Sequence, residues 1–264
     1  MNRIEEKMTA LKNEGRKAFI TYTTAGLPDM ETTKKIMFAQ QEAGIDVMEL
    51  GIPFSAPVAD GPVIQAASYE AIQKGATLTK IFTLMKEVRK EGLTTPVVFM
   101  MYYNTVYHYG LEEFVEMCAD CGVDGLIIPD LPYEEQKEIN AVLAENEAAP
   151  ILIQLVSPVS KQRIPMIVNN ARGFVYCVSQ MGVTGNGANF HKQIREYLLE
   201  VKKNSPVPVM MGFGIRTAGD VEPLEDIIDG AIVGSHFITL MKENNYDENV
   251  IKEYISSFKK EMNE

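Results

Sequence analysis

The sequence is poor in positive charge. Its 25 Lys and Arg stand against 36 Asp and Glu in 264 residues, a net charge of −11. So acidic a chain lacks the basic face that nucleic-acid binding needs. Its average field also repels anions, so an anionic ligand requires a local cup of backbone N–H groups or a helix N-terminus. Long apolar runs are missing: no stretch reaches the ~18 continuous apolar residues of a membrane span. The opening Met1-Asn2-Arg3-Ile4-Glu5-Glu6-Lys7 is a polar amphipathic segment rather than a signal peptide. No membrane partner and a cytoplasmic location are the expectation. Cysteine is scarce, and the three present do not suggest a disulfide framework. Cys118 and Cys121 have CxxC spacing, but they close an amphipathic pattern with Leu111, Phe114 and Val115 and have no second pair, which favours core packing over redox or zinc chemistry. The three histidines, His108, His191 and His236, have no metal-like spacing and accompany no Ser or Cys nucleophile signature. No Lys falls within an expected strand, which disfavours a Schiff-base aldolase, and no Gly-rich dinucleotide turn follows the first strand.

What the chain does have is regular alternation. After a short helix over 2–14, apolar strand-like runs recur at 18–23, 45–50, 97–101, 125–128, 151–155, 174–178, 207–211 and 230–233. Each is followed by a segment with helical periodicity, among them 29–43, 63–74, 78–90, 111–119, 133–146, 161–169, 190–203 and 217–227. Several of the runs are continuously apolar, as parallel strands buried on both faces are. Eight such units in about 250 residues predict an α/β fold, a (β/α)8 TIM barrel. A doubly wound open sheet is the competing arrangement. An extra N-terminal helix and extra helices after strands 2 and 8 are expected, the one after strand 2 started by Pro62. No long linker divides the chain, so residues 1–264 read as a single domain.

The stretch 49–62, Glu49-Leu50-Gly51-Ile52-Pro53-Phe54-Ser55-Ala56-Pro57-Val58-Ala59-Asp60-Gly61-Pro62, stands out. Glu49 sits near the end of an apolar strand, where a carboxylate is expensive unless something uses or pairs it. Prolines stiffen the loop that follows and carry Asp60. Two acids, one on a strand end and one on a rigid loop, can face the same cleft. The plainer alternative is a satisfied core Glu and a turn-forming Asp. In such barrels chemistry sits at the C-terminal ends of the strands. Asp130 also falls there, but with Pro132 it suits an ordinary turn.

Gly-rich segments follow the sixth, seventh and eighth strands: 182–187, 212–214 and Gly234-Ser235. Barrels often hold phosphate at this corner, on the N-terminus of a short extra helix. Glycine permits close backbone approach, and Ser235 adds a hydroxyl donor and a cap. The alternative is that these glycines only make turns. The segment from 182, which has no bulky apolar anchor between Val183 and Phe190, reads as a lid or as an ordinary loop. Tyr22, Met100, Ile127, Ile153, Tyr176, Phe213 and Ile232 sit in or beside strands. They read as core filler or as the wall of a pocket for a planar apolar substrate with a phosphate tail.

These motifs together resemble the tryptophan synthase alpha chain family. The resemblance rests on Glu49 to Ser55 with Ala59-Asp60-Gly61-Pro62, on Pro129-Asp130-Leu131-Pro132, on Gly182-Val183-Thr184-Gly185 and on Gly212-Phe213-Gly214-Ile215. Order and spacing match over essentially the whole chain. The resemblance implies a (β/α)8 lyase that cleaves indole-3-glycerol phosphate to indole and glyceraldehyde 3-phosphate. No cofactor is implied in this chain. The implied partner is a tryptophan synthase beta chain that carries pyridoxal phosphate, in an α2β2 complex. Carried over by motif, Glu49 is the general acid/base and Asp60 holds the indole N–H. Gly185, Gly214, Gly234 and Ser235 hold the phosphate. Tyr22, Met100, Tyr176 and Thr184 line the indole and glycerol pocket or its gate.

The chain departs from the family pattern at three places. Ala56 stands where Asp is usual, Gln180-Met181 precede Gly182 where Arg is common, and Tyr22 replaces a frequent Phe. Ala56 bears on communication with the beta chain more than on the chemistry, because that loop faces the partner in the family. Two other readings remain on the sequence: a catalytically weak barrel that mainly activates a beta-type chain, and another phosphate-substrate lyase.

Overall fold

A computed structural model describes residues 2–178, 188–212 and 214–264, the side chains of 188–191 excepted. Nine parallel strand segments form one sheet: β1 (Ala18–Thr24), β2 (Val47–Gly51), β3 (Val97–Met100), β4 (Gly125–Ile127), β5 (Ile151–Leu152), β6 (Gln154–Val156), β7 (Val175–Val178), β8 (Val209–Gly212) and β9 (Gly230–Val233). Their order is β5-β4-β3-β2-β1-β9-β8-β7-β6. The two ends of that order are successive pieces of one strand, parted only by Ile153. β5 pairs with β4, and β6 pairs with β7. The sheet therefore closes on itself, and the expected eight strands are present with the fifth broken in two. The helices lie outside. Pairing is in register throughout, Ile20 with Val47 and Ile232, and Glu49 with Tyr22 and Val98.

Period-two alternation decides what fills the barrel. Ala18, Ile20, Val47, Val98, Ile127, Ile151, Ile153, Met210 and Ile232 point inward and form one apolar cluster. Its floor is the first helix, α1 (Arg3–Glu14), which adds Ile4, Met8 and Leu11. Asn2 caps α1 through a reciprocal pair with Glu5, and Gly15 ends it at φ 67°. Burying those three side chains contributes on the order of 5 kcal/mol. Glycines make the room: a Cβ on Gly125 would lie 2.9 Å from Ile4 Cδ1.

The outer layer follows the expected helices, with four differences. α2 (Met30–Glu42), α3 (Pro62–Gln73) and α4 (Leu78–Lys90) are where the periodicity puts them. A short helix over Tyr103–Tyr109, α5, precedes α6 (Leu111–Asp120) and was not expected. Its aromatic run carries no apolar stripe to announce it. The helix expected over 133–146 is a 3-10 turn at Tyr133–Glu135 and then α7 (Lys137–Ala144). Proline explains the other two cases. Pro165 delays α8 to Ile164–Val168, and Pro223 splits 217–227 into two single 3-10 turns, because it lacks an N–H and clashes with the preceding turn. The chain ends with α9 (Ala188–Asn204), α10 (Ser235–Glu243) and α11 (Glu248–Met262). Among the described residues no helix is long and apolar enough to cross a membrane.

Candidate active site

Glu49 is the third of the five steps of the β1–β2 ladder, two residues beyond inward-facing Val47, so its side chain points into the barrel. It is 1% exposed, and neither carboxylate oxygen has a hydrogen-bond partner among the described residues. Burial alone pushes its carboxyl up to about 8. An acid in that state is neutral near pH 7 and gives up its proton with little further cost, which suits a general acid.

Asp60 lies at the end of the loop joining β2 to α3. Its Oδ2 accepts from the Tyr102 hydroxyl at 2.9 Å. The same hydroxyl accepts from Ala59 N at 2.9 Å, and the Tyr102 ring stacks on Phe54 with centroids 5.0 Å apart. Burial raises the Asp60 carboxyl above its ordinary value, and the Tyr102 bond opposes that rise. Tyr22 and Tyr176 feel both acids: burial is the main cause of their raised phenols, and the charges of Asp60 and Glu49 add to it. The two carboxyls and two phenols therefore converge on one space.

That space is shaped by two tyrosine-over-glycine contacts. A Cβ on Gly51 would lie 1.9 Å from Tyr22 Oη, and a Cβ on Gly212 would lie 2.4 Å from Tyr176 Oη. Each ring thus lies across a strand that has no side chain at that point, one on either side of Glu49. Ile127, Ile153 and Ile232, all at most 2% exposed, belong to the packed barrel interior below, with partly buried Met100 and Tyr176 at its upper edge. The isoleucines act as floor and the tyrosines and Met100 as wall, which is the arrangement a flat apolar ring requires.

On the adjoining corner Gly234 caps α10, and Ser235 is that helix's first residue. Among the described residues no side chain caps this N-terminus, so its N–H groups are turned to whatever sits before it. The space before Gly234 borders Tyr22: a Cβ there would meet Tyr22 Cβ at 3.7 Å and Ile64 Cδ1 at 3.8 Å. Gly214 has φ +80°, a left-handed conformation that favours glycine. Thr184, Gly185 and Phe213 lie outside the described residues, as does the lid reading of 182–187.

Other features have plain structural roles. Cys118 and Cys121 are buried, and burial pushes their thiols up, Cys121 to about 12, so neither is a ready nucleophile. No group of three or more His, Cys, Asp or Glu among the described residues is arranged to hold a metal ion. Asp130 is more than a turn residue: its Oδ1 accepts from Tyr103 N at 2.8 Å and so caps α5 from the neighbouring loop. A groove of about 1010 Å³ lined by Asn2, Arg3, Asp124, Pro150 and Arg172 opens at the opposite end of the barrel and contains none of the candidate residues. The bond from Tyr102 to Asp60 was not foreseen. Tyr102 was visible as a strand-end residue, but no one-dimensional pattern reports a contact across 42 positions.

Comparison with known proteins bears on the chain as a whole. The tryptophan synthase alpha chain family profile matches residues 8–264. The chain is 74% identical to the tryptophan synthase alpha chain of Lachnospira eligens, over all of both chains. It is 46% identical to that of Thermoanaerobacter sp., over 98% of this chain and 99% of the relative. Among solved structures it is similar to tryptophan synthase subunit alpha from Legionella pneumophila, with TM-score 0.89 and 32% identity over 99% of this chain and 98% of that one. A chain of Mycobacterium tuberculosis tryptophan synthase gives TM-score 0.87 and 30% identity over 100% and 99%. A closed parallel barrel with two acids at its mouth, matched along its length in sequence and in shape, belongs to the tryptophan synthase alpha chain family, the lyases that cleave indole-3-glycerol phosphate to indole and glyceraldehyde 3-phosphate.

Proposed function

We propose that Glu49 carries the protons of this reaction and that Asp60 stabilises the charge that develops on the indole nitrogen. The carbon–carbon bond between indole C3 and the glycerol chain cannot break until C3 is protonated, because only then can the ring accept the bonding electrons. The neutral Glu49 carboxyl supplies that proton, which leaves a carboxylate and a ring that is positive at N1. Asp60 accepts the N1–H hydrogen bond, which strengthens as the positive charge appears. The Glu49 carboxylate then takes the proton of the hydroxyl on the carbon attached to C3. The C–C pair returns to the ring, indole leaves, and the aldehyde of glyceraldehyde 3-phosphate forms. Glu49 ends as it began, protonated.

In this reading Tyr22, Met100, Tyr176 and Thr184, over Ile127, Ile153, Phe213 and Ile232, hold the indole ring and the glycerol chain. Gly185, Gly214, Gly234 and Ser235 hold the phosphate, which a chain of net charge −11 can bind only through local N–H groups. The reaction is acid–base chemistry throughout, and pyridoxal phosphate belongs to the beta chain with which this chain forms its complex. We read residues 1–264 as one barrel domain and place it in the cytoplasm, where a biosynthetic enzyme meets its substrate.

The observation that carries the proposal is Glu49: buried, without a hydrogen-bond partner among the described residues, and held neutral by burial. Glu49→Gln keeps the shape and loses the exchangeable proton. Indole release from indole-3-glycerol phosphate is expected to fall by about 10²–10⁴, with substrate affinity largely kept. Near-normal turnover would remove Glu49 from this role.

A further inference from the structure

We propose that Tyr102 is the positioning residue for Asp60: its hydroxyl clamps one carboxylate oxygen and leaves the other to meet the indole N–H. The proposal rests on the role given to Asp60 above. Its geometry leaves no choice of hydrogen-bond direction. The Tyr102 oxygen receives the Ala59 N–H at 2.9 Å, and a backbone N–H can only donate. The single phenolic hydrogen is therefore free to go to Asp60 Oδ2, at 2.9 Å. An O–H aimed at Oδ2 is matched by a carboxylate and not by a hydroxyl pointing back, so the clamp favours the ionised form. Among the described residues no group hydrogen-bonds Oδ1, which is the oxygen left for substrate.

Tyr102 is itself held rigidly. It is 5% exposed, its ring stacks on Phe54 of the Asp60 loop, and it caps α5. The next residue, Tyr103, is tied by its N–H to Asp130 on the loop after β4. Three successive loops thus share one frame, and Asp60 hangs from its middle.

The surroundings make the hydroxyl matter. Tyr22 on β1 and Tyr176 on β7 feel the charge of Asp60, Glu49 on β2 acts on the same two phenols, and Asp130 acts on Tyr102. Every one of these groups is an acid or a phenol. Burial raises the Asp60 carboxyl, and the Tyr102 hydrogen bond is what opposes it. Without that bond Asp60 ionises at higher pH and its loop loses its anchor.

The test is Tyr102→Phe in the full chain with its beta chain. The variant keeps the ring stack and removes only the hydroxyl. Indole release is measured against substrate concentration and pH. Turnover is expected to fall about tenfold, as for the loss of one hydrogen bond to a charged group, with KM moving less than about twofold. The acid limb of kcat/KM is expected to move up by roughly one pH unit. In an Asp60→Asn background Tyr102→Phe should cost much less than in wild type, because the charge it acts through is already removed and only the Ala59 anchor is left to lose. Phe54→Leu, which keeps the hydroxyl and loosens the stack, should lower the melting temperature and leave the acid limb in place. An unmoved acid limb in Tyr102→Phe overturns the proposal, as do losses that simply multiply in the double variant. If Asp60→Asn alone keeps normal turnover, the role of Asp60 itself fails, and that single variant shows it.

Discussion

The two ends of the barrel treat their acids in opposite ways. At the N-terminal end Asp46, Asp124 and Asp229 stand just before or at the start of their strands, and each is fully engaged. Asp46 accepts from Phe19 N at 2.9 Å and Lys259 Nζ at 2.7 Å. Asp124 accepts from Val97 N at 2.8 Å, Arg89 at 2.7 Å and Arg3 at 2.8 Å. Asp229 accepts from Val209 N at 2.8 Å and pairs with Lys202. Each therefore ties an N–H in the first two residues of a nearby strand to a cation on a surrounding helix. At the C-terminal end Glu49, as buried as Asp46 at 1%, has no hydrogen-bond partner among the described residues. The same residue class is structural below and reactive above, and the difference is whether the carboxylate's hydrogen-bonding needs are met.

The largest effect that sharpens this contrast is the loss of turnover in Glu49→Gln, described above, together with a gain in stability. The unfolded chain gives up this proton near 4.5 and the folded one near 8. Between those values the folded state holds more protons, so the wild type loses stability as pH rises, by at most about 1.4 kcal/mol per pH decade. Glu49→Gln escapes that loss. Urea melts should show the variant equal to wild type near pH 4 and more stable near pH 8. A variant less stable at pH 8 would mean that Glu49 is paired and ionised after all.

Asp124→Ala should do the reverse. It strands the largely buried Arg89 and the Val97 N–H, at a cost of about 3–5 kcal/mol for a broken buried pair. Turnover per folded molecule should stay within about twofold. A sharp loss of turnover in fully folded protein would break the division between the two ends.

A smaller effect is expected at Gly234. There is ordinary room for a Cβ there, but not for branching toward Tyr22 and Ile64. Gly234→Val should weaken the phosphate-bearing substrate about tenfold, the scale of one or two lost hydrogen bonds, and leave free indole binding little changed. Equal loss for both ligands would mean a distorted site rather than a blocked phosphate cup.

The smallest effect concerns Ala56, exposed on the loop that carries Asp60, with its carbonyl bonded to Val58 N at 2.9 Å. A methyl group there carries no charge. Ala56→Asp should raise activation by a beta chain from a species with Asp at this position by a few-fold, within the ~1–3 kcal/mol typical of coupling between sites. The isolated chain's rate should not change. No effect with that partner would assign the signal to the loop backbone.

Much of this was legible in one dimension. Short apolar runs, several of them continuous, placed every strand, and the cost of a carboxylate at Glu49 between Met48 and Leu50 marked the site. The break at Ile153 was hidden because Ile151 to Leu155 is uniformly suited to a strand. Helix boundaries failed where proline acts from inside an amphipathic pattern, at Pro165 and Pro223. Isoleucines 127, 153 and 232 looked alike as wall or filler, and only closure of the barrel puts them at the floor. The tyrosine-over-glycine contacts and the Tyr102 clamp join positions far apart in sequence, and nothing local encodes them.

The central claim is that Glu49 is a neutral acid in the resting enzyme. Difference infrared spectra between wild type and Glu49→Gln, taken from about pH 4 to about pH 10, read that carboxyl directly. The protonated-carboxyl band should persist through neutral pH and disappear near 8. A band already lost near the ordinary value of 4.5 would contradict the account.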